Sequence, residues 1–341
     1  MVQPTRVRLL ATVTPWVTAA ALAHPQDLPQ HLMQRLDISR RRAGALIRQL
    51  AAAQWLLVEG TPRKPSYRPG ALRQVVQHYP LAGLQEDLPW RRDFAPCFDL
   101  PKPVRLLAQH AFTELLNNAI DHSGGSQVTV SLRQTPLHLQ LLVSDDGCGL
   151  FERIAQSFAI DDPQLAMFEL SKGKLTSQPE RHSGHGLFFA SRLADIFDVH
   201  ANHAAFQHRA WGDEAWRSTR PTPRRGTSIY LAIALDTTRT LDEVLRAHSR
   251  DAAGYGFERT QVPLKLLGGS EMLMSRADAR RVAARLSSFG QAEIDFSGVP
   301  AVGHGFADEL FRVFRRSHPQ VQLLPTKMAP AVGAMVGSIA A

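Results

Sequence analysis

The sequence predicts an α/β (α+β) protein in three parts: a small basic helical module, a central α/β sandwich, and a small C-terminal α/β domain. Three observations lead there. The 341 residues are 44% hydrophobic and 21% charged, roughly twice or more the usual domain length, with apolar content for several cores. The charge is segregated: residues 1–78 hold eleven Lys/Arg against three Asp/Glu, which accounts for the whole formal net charge of +8, and the other residues balance. From about residue 104 onward, strand-like and helix-like apolar runs alternate. The expected division is 1–78, a lead-in at 79–103, 104–240, and 260–341.

The composition excludes collagen-like, low-complexity and disordered classes. Two cysteines, Cys97 and Cys148, are too few for a disulfide framework or a structural zinc site. No apolar run reaches membrane-spanning length, and Thr14, Pro15 and Trp16 interrupt the apolar residues that a signal peptide would need. A soluble cytoplasmic protein with no membrane partner is expected.

In the basic module, residues 5–23 and Asp27 to Leu36 read as helices, and Ser39 caps a third helix running to about Ala53. Ala43, Leu46, Ile47 and Leu50 form its apolar stripe. A short extended run at Trp55 to Val58, a basic turn with Arg63 and Lys64, and a second extended piece around Tyr67 follow. Three helices and a ribbon with a basic tip is the layout of a winged helix-turn-helix. Arg40, Arg41 and Arg42 occupy the positive end of the third helix, where each cation costs about 0.3–1 kcal/mol unless an anion compensates. A phosphate backbone would supply that anion, so Arg40, Arg41, Arg42, Arg48, Arg63 and Lys64 are the expected contacts to double-stranded DNA. Solvated arginines on a protein-docking module are the alternative.

The central region carries four ordered motifs. Glu114, Asn117, Asn118 and Asp121 share one helical face, with Phe112, Leu115, Leu116 and Ala119 on the other. A strand then runs into Asp145-Asp146-Gly147-Cys148-Gly149. Ser183-Gly184-His185-Gly186-Leu187 opens an apolar helix, and Arg225-Gly226-Thr227-Ser228 leads into a strand at Ile229 to Leu235. Singly these are weak; as an ordered set over about residues 104–236 they resemble the GHKL ATPase fold of DNA gyrase, histidine kinases and anti-sigma serine kinases.

The resemblance implies a central α/β sandwich built as a mixed sheet with helices on one face, with ATP and Mg²⁺ as cofactors, and each motif makes chemical sense for that task. The carboxylate of Asp145 can accept the adenine amino hydrogens, which guanine lacks at that position. Gly147 and Gly149 let the base lie close to the backbone. Asn118 offers an oxygen to Mg²⁺. Gly184, His185, Gly186 and Leu187 present backbone N–H groups to phosphate at a helix N-terminus, and Thr227 supplies a hydroxyl. Phe151 to His182 corresponds to the mobile ATP lid, with Lys174 as a further nucleotide contact. Glu114 corresponds to the family's general base. That Glu, and the lack of an upstream phosphoacceptor helix, disfavour a sensor histidine kinase.

Farther on, Leu264 to Leu267, Ala292 to Phe296 and Val321 to Leu324 read as strands. Ser275 caps an arginine-rich helix, Gly305 to Phe314 reads as an amphipathic helix, and Ala329 to Ile339 as a last apolar one. Asp295-Phe296-Ser297-Gly298-Val299 followed by Gly305-Phe306-Ala307-Asp308-Glu309-Leu310-Phe311 resembles the STAS-like DUF4325 group, related in pattern to anti-anti-sigma proteins. Where those carry a phosphoacceptor serine, this chain has Gly303-His304-Gly305, without a hydroxyl. A protein partner could dock on this domain, and a homodimer is left open. The whole reads as an ATP-responsive DNA-binding transcription regulator, with GHKL-type ATPase activity favoured over protein-kinase activity. A partner-switching serine/threonine kinase is the alternative.

Overall fold

The computed structural model describes residues 6–176, 184–211, 216–249, 254–268 and 273–340. The run expected as one helix over 5–23 is two, α1 (Arg6–Val13) and α2 (Val17–Ala23). Pro15 has no N–H to continue the ladder, and the Trp16 N–H turns back to the Val13 carbonyl at 3.1 Å. Helices α3 (Leu28–Leu36) and α4 (Arg40–Ala52) follow, then an antiparallel ribbon of β1 (Leu56–Thr61) and β2 (Lys64–Pro69). Ser39 caps α4, its Oγ accepting from the Arg42 N–H at 3.4 Å. The α4 stripe Ala43, Leu46, Ile47 and Leu50 is buried in a core with Val13, Val17, Leu28, Leu32 and Tyr67.

The expected boundary at residue 78 falls inside a strand. Strand β3 (Arg73–Pro80) pairs antiparallel with β4 (Gln127–Gln134), with Val75 and Tyr79 buried on the face that alternation gives them. The expected lead-in at 79–103 is likewise folded. It contains α5 (Asp87–Pro89), a π-helical turn at Trp90–Phe94 and a 3₁₀ turn at Ala95–Cys97. Trp90 and Phe94 set their rings 5.3 and 5.2 Å from that of Phe112, and all three are buried. Burial of these aromatics outweighs the loop-forming bias of the surrounding prolines.

Phe112 belongs to α6 (Lys102–His122), which starts with a proline in its first turn. It ends at Ser123, whose hydroxyl donates to the Ala119 carbonyl at 2.6 Å and accepts from the Gly125 N–H at 3.0 Å. After β4 come β5 (His138–Asp145), α7 (Leu150–Phe158), α8 (Pro163–Lys172) and α9 (Gly186–Leu193). Then follow β6 (Ile196–Asn202), β7 (Ala204–Arg209), β8 (Arg217–Ser218), β9 (Arg224–Ala234) and α10 (Leu241–Ala247). The C-terminal elements are β10 (Arg259–Pro263), α11 (Lys265–Gly268), α12 (Arg276–Ala283), β11 (Gln291–Asp295) and α13 (His304–Ala307). A π-helical stretch Asp308–Phe314, α14 (Arg315–Ser317), β12 (Gln322–Thr326) and α15 (Pro330–Ala340) complete it. The strand expected at Leu264 to Leu267 is therefore a helical turn: its place in the sheet is taken by β10, and the Leu267 N–H bonds back to the Leu264 carbonyl at 2.9 Å.

Two compact units result: Met1–Gly147 with Ser228–Thr238, and Cys148–Thr227 with Arg239–Ala341. In the first, β3, β4, β5 and β9 pair antiparallel in that order, and α6 packs on them with Leu107, Ala111, Leu115 and Ala119 buried. The second holds the antiparallel β6–β7–β8 and the parallel β10–β11–β12. Ser275 and Asp278 close a capping box at the start of α12, as the serine predicted. Among the described residues no helix is long and apolar enough to cross a membrane, and both cysteines are free.

Phe112→Ala removes the ring on which Trp90 and Phe94 pack. We expect a loss of about 3–5 kcal/mol, measured as the denaturant midpoint of the full chain. An exposed, unfolded lead-in would give almost no change.

Candidate functional site

The first unit holds four of the residues expected at the nucleotide site: Glu114, Asn118, Asp145 and Gly147. Glu114 and Asn118 lie one turn apart on α6, half-buried, on the face away from its core stripe. His110 precedes Glu114 by one turn. Burial lowers its pKa and the Glu114 carboxylate opposes that shift, while its Nε2 is buried without a hydrogen-bond partner. Asp145 ends β5 and is only 5% exposed; its Oδ1 accepts the Gly147 N–H at 2.9 Å. Gly147 passes so close to the end of α6 that a Cβ there would sit 2.2 Å from the Ser123 carbonyl. This approach brings the aspartate turn against the helix carrying Glu114 and Asn118.

Asp146, to which the motif pattern assigns no role, fixes that turn from outside. Its Oδ1 accepts the Ser126 and Gln127 N–H groups at 2.7 and 2.9 Å, and its Oδ2 accepts the Ser126 hydroxyl at 2.6 Å. The Ser126 hydroxyl, then the backbone donors, hold its carboxyl down to about 2. The two adjacent aspartates thus divide the work, one buried toward the helix and one tying the loop to the start of β4.

In the second unit, Asn202 joins two of the glycine motifs. Its Nδ2 donates to the Cys148 carbonyl at 2.8 Å and its Oδ1 accepts the Gly226 N–H at 3.0 Å. Gly149 has φ +96° and a Cβ there would lie 2.6 Å from the Asn202 amide, so a side chain is excluded twice over. Thr227 follows directly on Gly226. Asn202 has φ +49° at the β6–β7 hairpin, where an asparagine reads simply as a turn residue; nothing in the spacing links it to either glycine.

His185 stands at the N-cap of α9 without a side-chain cap, and Gly186 and Leu187 form its first turn. The first backbone N–H groups of that helix are not satisfied by a capping side chain, which suits a phosphate. Gly184 has φ +68° just before, and Ser183 lies outside the described residues. The His185 ring meets Phe257 edge-on at 4.7 Å, and burial, then the Lys174 charge, push it down to about 4, so it is neutral near pH 7.

The segment expected as a mobile lid contains α7 and α8, with residues 177–183 outside the described residues. Lys174, expected on the nucleotide, donates to the Ser288 carbonyl at 2.6 Å, with its ammonium 4.4 Å from the Phe289 ring centroid. The reason is the aromatic floor supplied by Phe289 and Phe257, which the lid sequence alone does not contain.

Each unit by itself offers donors that fit part of Mg-ATP: the first a buried carboxylate for an amino group and amide and carboxylate oxygens on α6, the second uncapped N–H groups on α9. Among the described residues no cluster of three or more His, Cys, Asp or Glu is placed to hold a metal. The Asn118 oxygen on α6 is of the chemistry that would hold a magnesium ion together with phosphate oxygens and water. In the basic module, Arg40, Arg41, Arg42, Arg48, Arg63 and Lys64 are all exposed, three on the first turn of α4, one farther along it and two at the ribbon tip.

Because the Asp146 pKa is lowered by folding, its contribution to stability is complete above the unfolded value of 3.8 and fades as pH falls toward about 2. Asp146→Asn should remove that acid-limb dependence, read from unfolding midpoints between pH 5 and 2. An unchanged limb would mean that the loop is held otherwise.

Residues 104–237 match the family described as histidine kinase-, DNA gyrase B-, and HSP90-like ATPase, and residues 278–332 match a STAS-like domain of unknown function (DUF4325). No curated protein matches the chain at a significant level. The central segment is thus a GHKL-type ATPase domain and the C-terminal one a STAS-like domain.

Proposed function

We propose that this protein is an ATP-responsive DNA-binding regulator of transcription. Mg-ATP bound by the GHKL domain, with slow hydrolysis, changes how the flanking modules dock and so changes affinity for DNA. The observation that carries this reading is the buried Asp145 carboxylate at the aspartate–glycine turn of a segment that matches an ATPase family throughout its length. Asp145 accepts the adenine amino hydrogens, while Gly184 to Leu187 offer N–H groups to the phosphates. Asn118 supports the ion that, when bound, neutralises phosphate charge. Glu114 takes the proton of the attacking water. Gly303 to Gly305, at the start of α13, offer no hydroxyl, which supports binding and hydrolysis over phosphoryl transfer within the chain. Lys174 reaches a nucleotide only by leaving Ser288.

The DNA-binding half rests on the location of the charge. All of the formal excess of +8 falls in the first 78 residues, and six of those cations lie exposed on the α4 start and the ribbon tip of a winged-helix layout. Coupling requires that ATP bind the DNA-competent and DNA-incompetent states with different affinity.

Asp145→Asn should weaken ATP binding about 10- to 100-fold, the ~1.5–3 kcal/mol of a hydrogen bond to a charged group, measured by calorimetry. Glu114→Ala should keep binding and lower turnover about 10²–10⁴-fold. If Asp145→Asn binds as wild type, the adenine role fails.

Binding to random-sequence duplex DNA should fall steeply with salt. The triple change Arg40→Ala, Arg41→Ala, Arg42→Ala should flatten the slope of log K against log salt by about 0.9 for each phosphate no longer neutralised. Comparing wild type with and without Mg-ATP tests the coupling. No binding at low salt would make the module a protein-docking one.

A further inference from the structure

The STAS-like domain carries a surface that is already occupied, and its occupant is the lysine-bearing end of the ATPase domain's own α8 segment. The Lys172 ammonium is fully buried. It donates to Glu169 Oε1 at 2.8 Å and to the Arg281 and Ala284 carbonyls, at the C-terminal end of α12, at 3.2 and 3.0 Å. The carbonyls that end a helix carry partial negative charge, so this end of α12 is suited to receive a cation. Desolvation pulls the Lys172 pKa down to about 8, against the opposing pull of Glu169, which leaves it charged near neutral pH.

Arg285 closes the arrangement from the other side. Its Nη1 reaches Glu169 Oε2 at 3.0 Å and the Glu169 carbonyl at 3.3 Å, and its Nη2 donates to the Gly173 carbonyl at 2.7 Å. The Thr260 hydroxyl donates to the Lys172 carbonyl at 2.6 Å. Lys174 is engaged next, by the Ser288 carbonyl and the Phe289 ring. Phe257 lies at the junction: its ring packs on His185, Phe188 and Phe189 of the phosphate motif and α9, and on Phe289 of the STAS-like domain. The carbonyls of Lys172 and Gly173 and the ammonium groups of Lys172 and Lys174 are therefore all engaged by residues 260–288.

We propose that the STAS-like domain's partner lies within this chain: α12 and the turn after it capture Lys172-Gly173-Lys174, withhold Lys174 from the nucleotide, and so set the ATP affinity of the GHKL domain. This inference rests on the nucleotide reading above. Nucleotide phosphate and the Ser288 carbonyl compete for a single ammonium. Binding that draws Lys174 away must break the capture, and loosening the capture must favour binding to the same degree. The domain would then act as an antagonist built into the protein it restrains, with no phosphoryl group passing between them.

The test uses the full chain and two variants. Arg285→Gln removes the grip on Glu169 and Gly173, and Phe289→Leu keeps apolar volume but removes the ring beneath Lys174. Hydrogen exchange of residues 163–176 and calorimetry with Mg-ATP are read on wild type and both. Faster exchange together with ATP affinity raised about 5-fold or more supports the proposal, and Lys174→Gln added to either variant should abolish the gain. Faster exchange with unchanged or weaker ATP affinity overturns it, leaving α12 a structural support only. Unchanged exchange in both variants overturns the capture itself. If wild type and variants bind no ATP, the nucleotide reading falls along with the regulation, and the exchange result distinguishes that outcome from a missing capture. Phe289→Leu keeps the question decidable should Arg285→Gln fail to fold.

Discussion

The aspartate–glycine turn between β5 and α7 is the constraint on which the proposed nucleotide chemistry rests. A strand must end, turn a carboxylate inward and let the backbone approach a helix, all within three residues. Asp146 makes this feasible by committing its carboxylate to three donors of the neighbouring strand start. The turn is thereby tied to the neighbouring strand by Asp146, while Asp145 contributes the bond it accepts from the Gly147 N–H within the turn. Gly147 can then lie against Ser123, where any side chain would collide with backbone. Without that approach the buried carboxylate and the α6 residues would not share a neighbourhood in the first unit.

Much of this was legible in the sequence because it is local. The glutamate–asparagine face of α6, the D-x-G-x-G turn and the glycine motif at the start of α9 are each set by residues within one or two turns of chain, and their order identified the domain. The serine caps at Ser39 and Ser275 were legible for the same reason. What escaped was long-range. Lys172 meets carbonyls 109 and 112 positions away, and Arg285 meets Glu169 across 116. No periodicity encodes such pairs, so the lysines read as a polar mobile segment. Asn202 was hidden differently, since an asparagine at a hairpin tip has an adequate local explanation already. Strand β3 was missed because its alternation is short and flanked by prolines.

Charge is used in two distinct ways along the chain. In the basic module the cations are exposed and concentrated, so their effect is a long-range field screened by salt. Between α8 and the end of α12 the cations are individually matched: buried Lys172 and half-buried Arg285 converge on Glu169, and carbonyls take further donors of both. Pairs of this kind contribute little net stability against an apolar replacement, yet they penalise heavily any arrangement that leaves one partner alone. They therefore specify which surfaces meet.

The attachment of the basic module to β3 has a mechanical consequence. On one side β3 pairs with β4; on the other, its Gln74 and Val76 N–H groups bond to the Thr18 hydroxyl and the Pro15 carbonyl at 3.0 and 2.9 Å. The open edge of the sheet is thus covered by the corner between α1 and α2 rather than by water. The short connection into β3 is itself tied down, since Gly70 and Leu72 are bonded to the Trp55 and Gln54 carbonyls. Any change in the twist of that sheet would be delivered to α4 as a rotation, in the manner of a handle fixed to the rim of a turning plate.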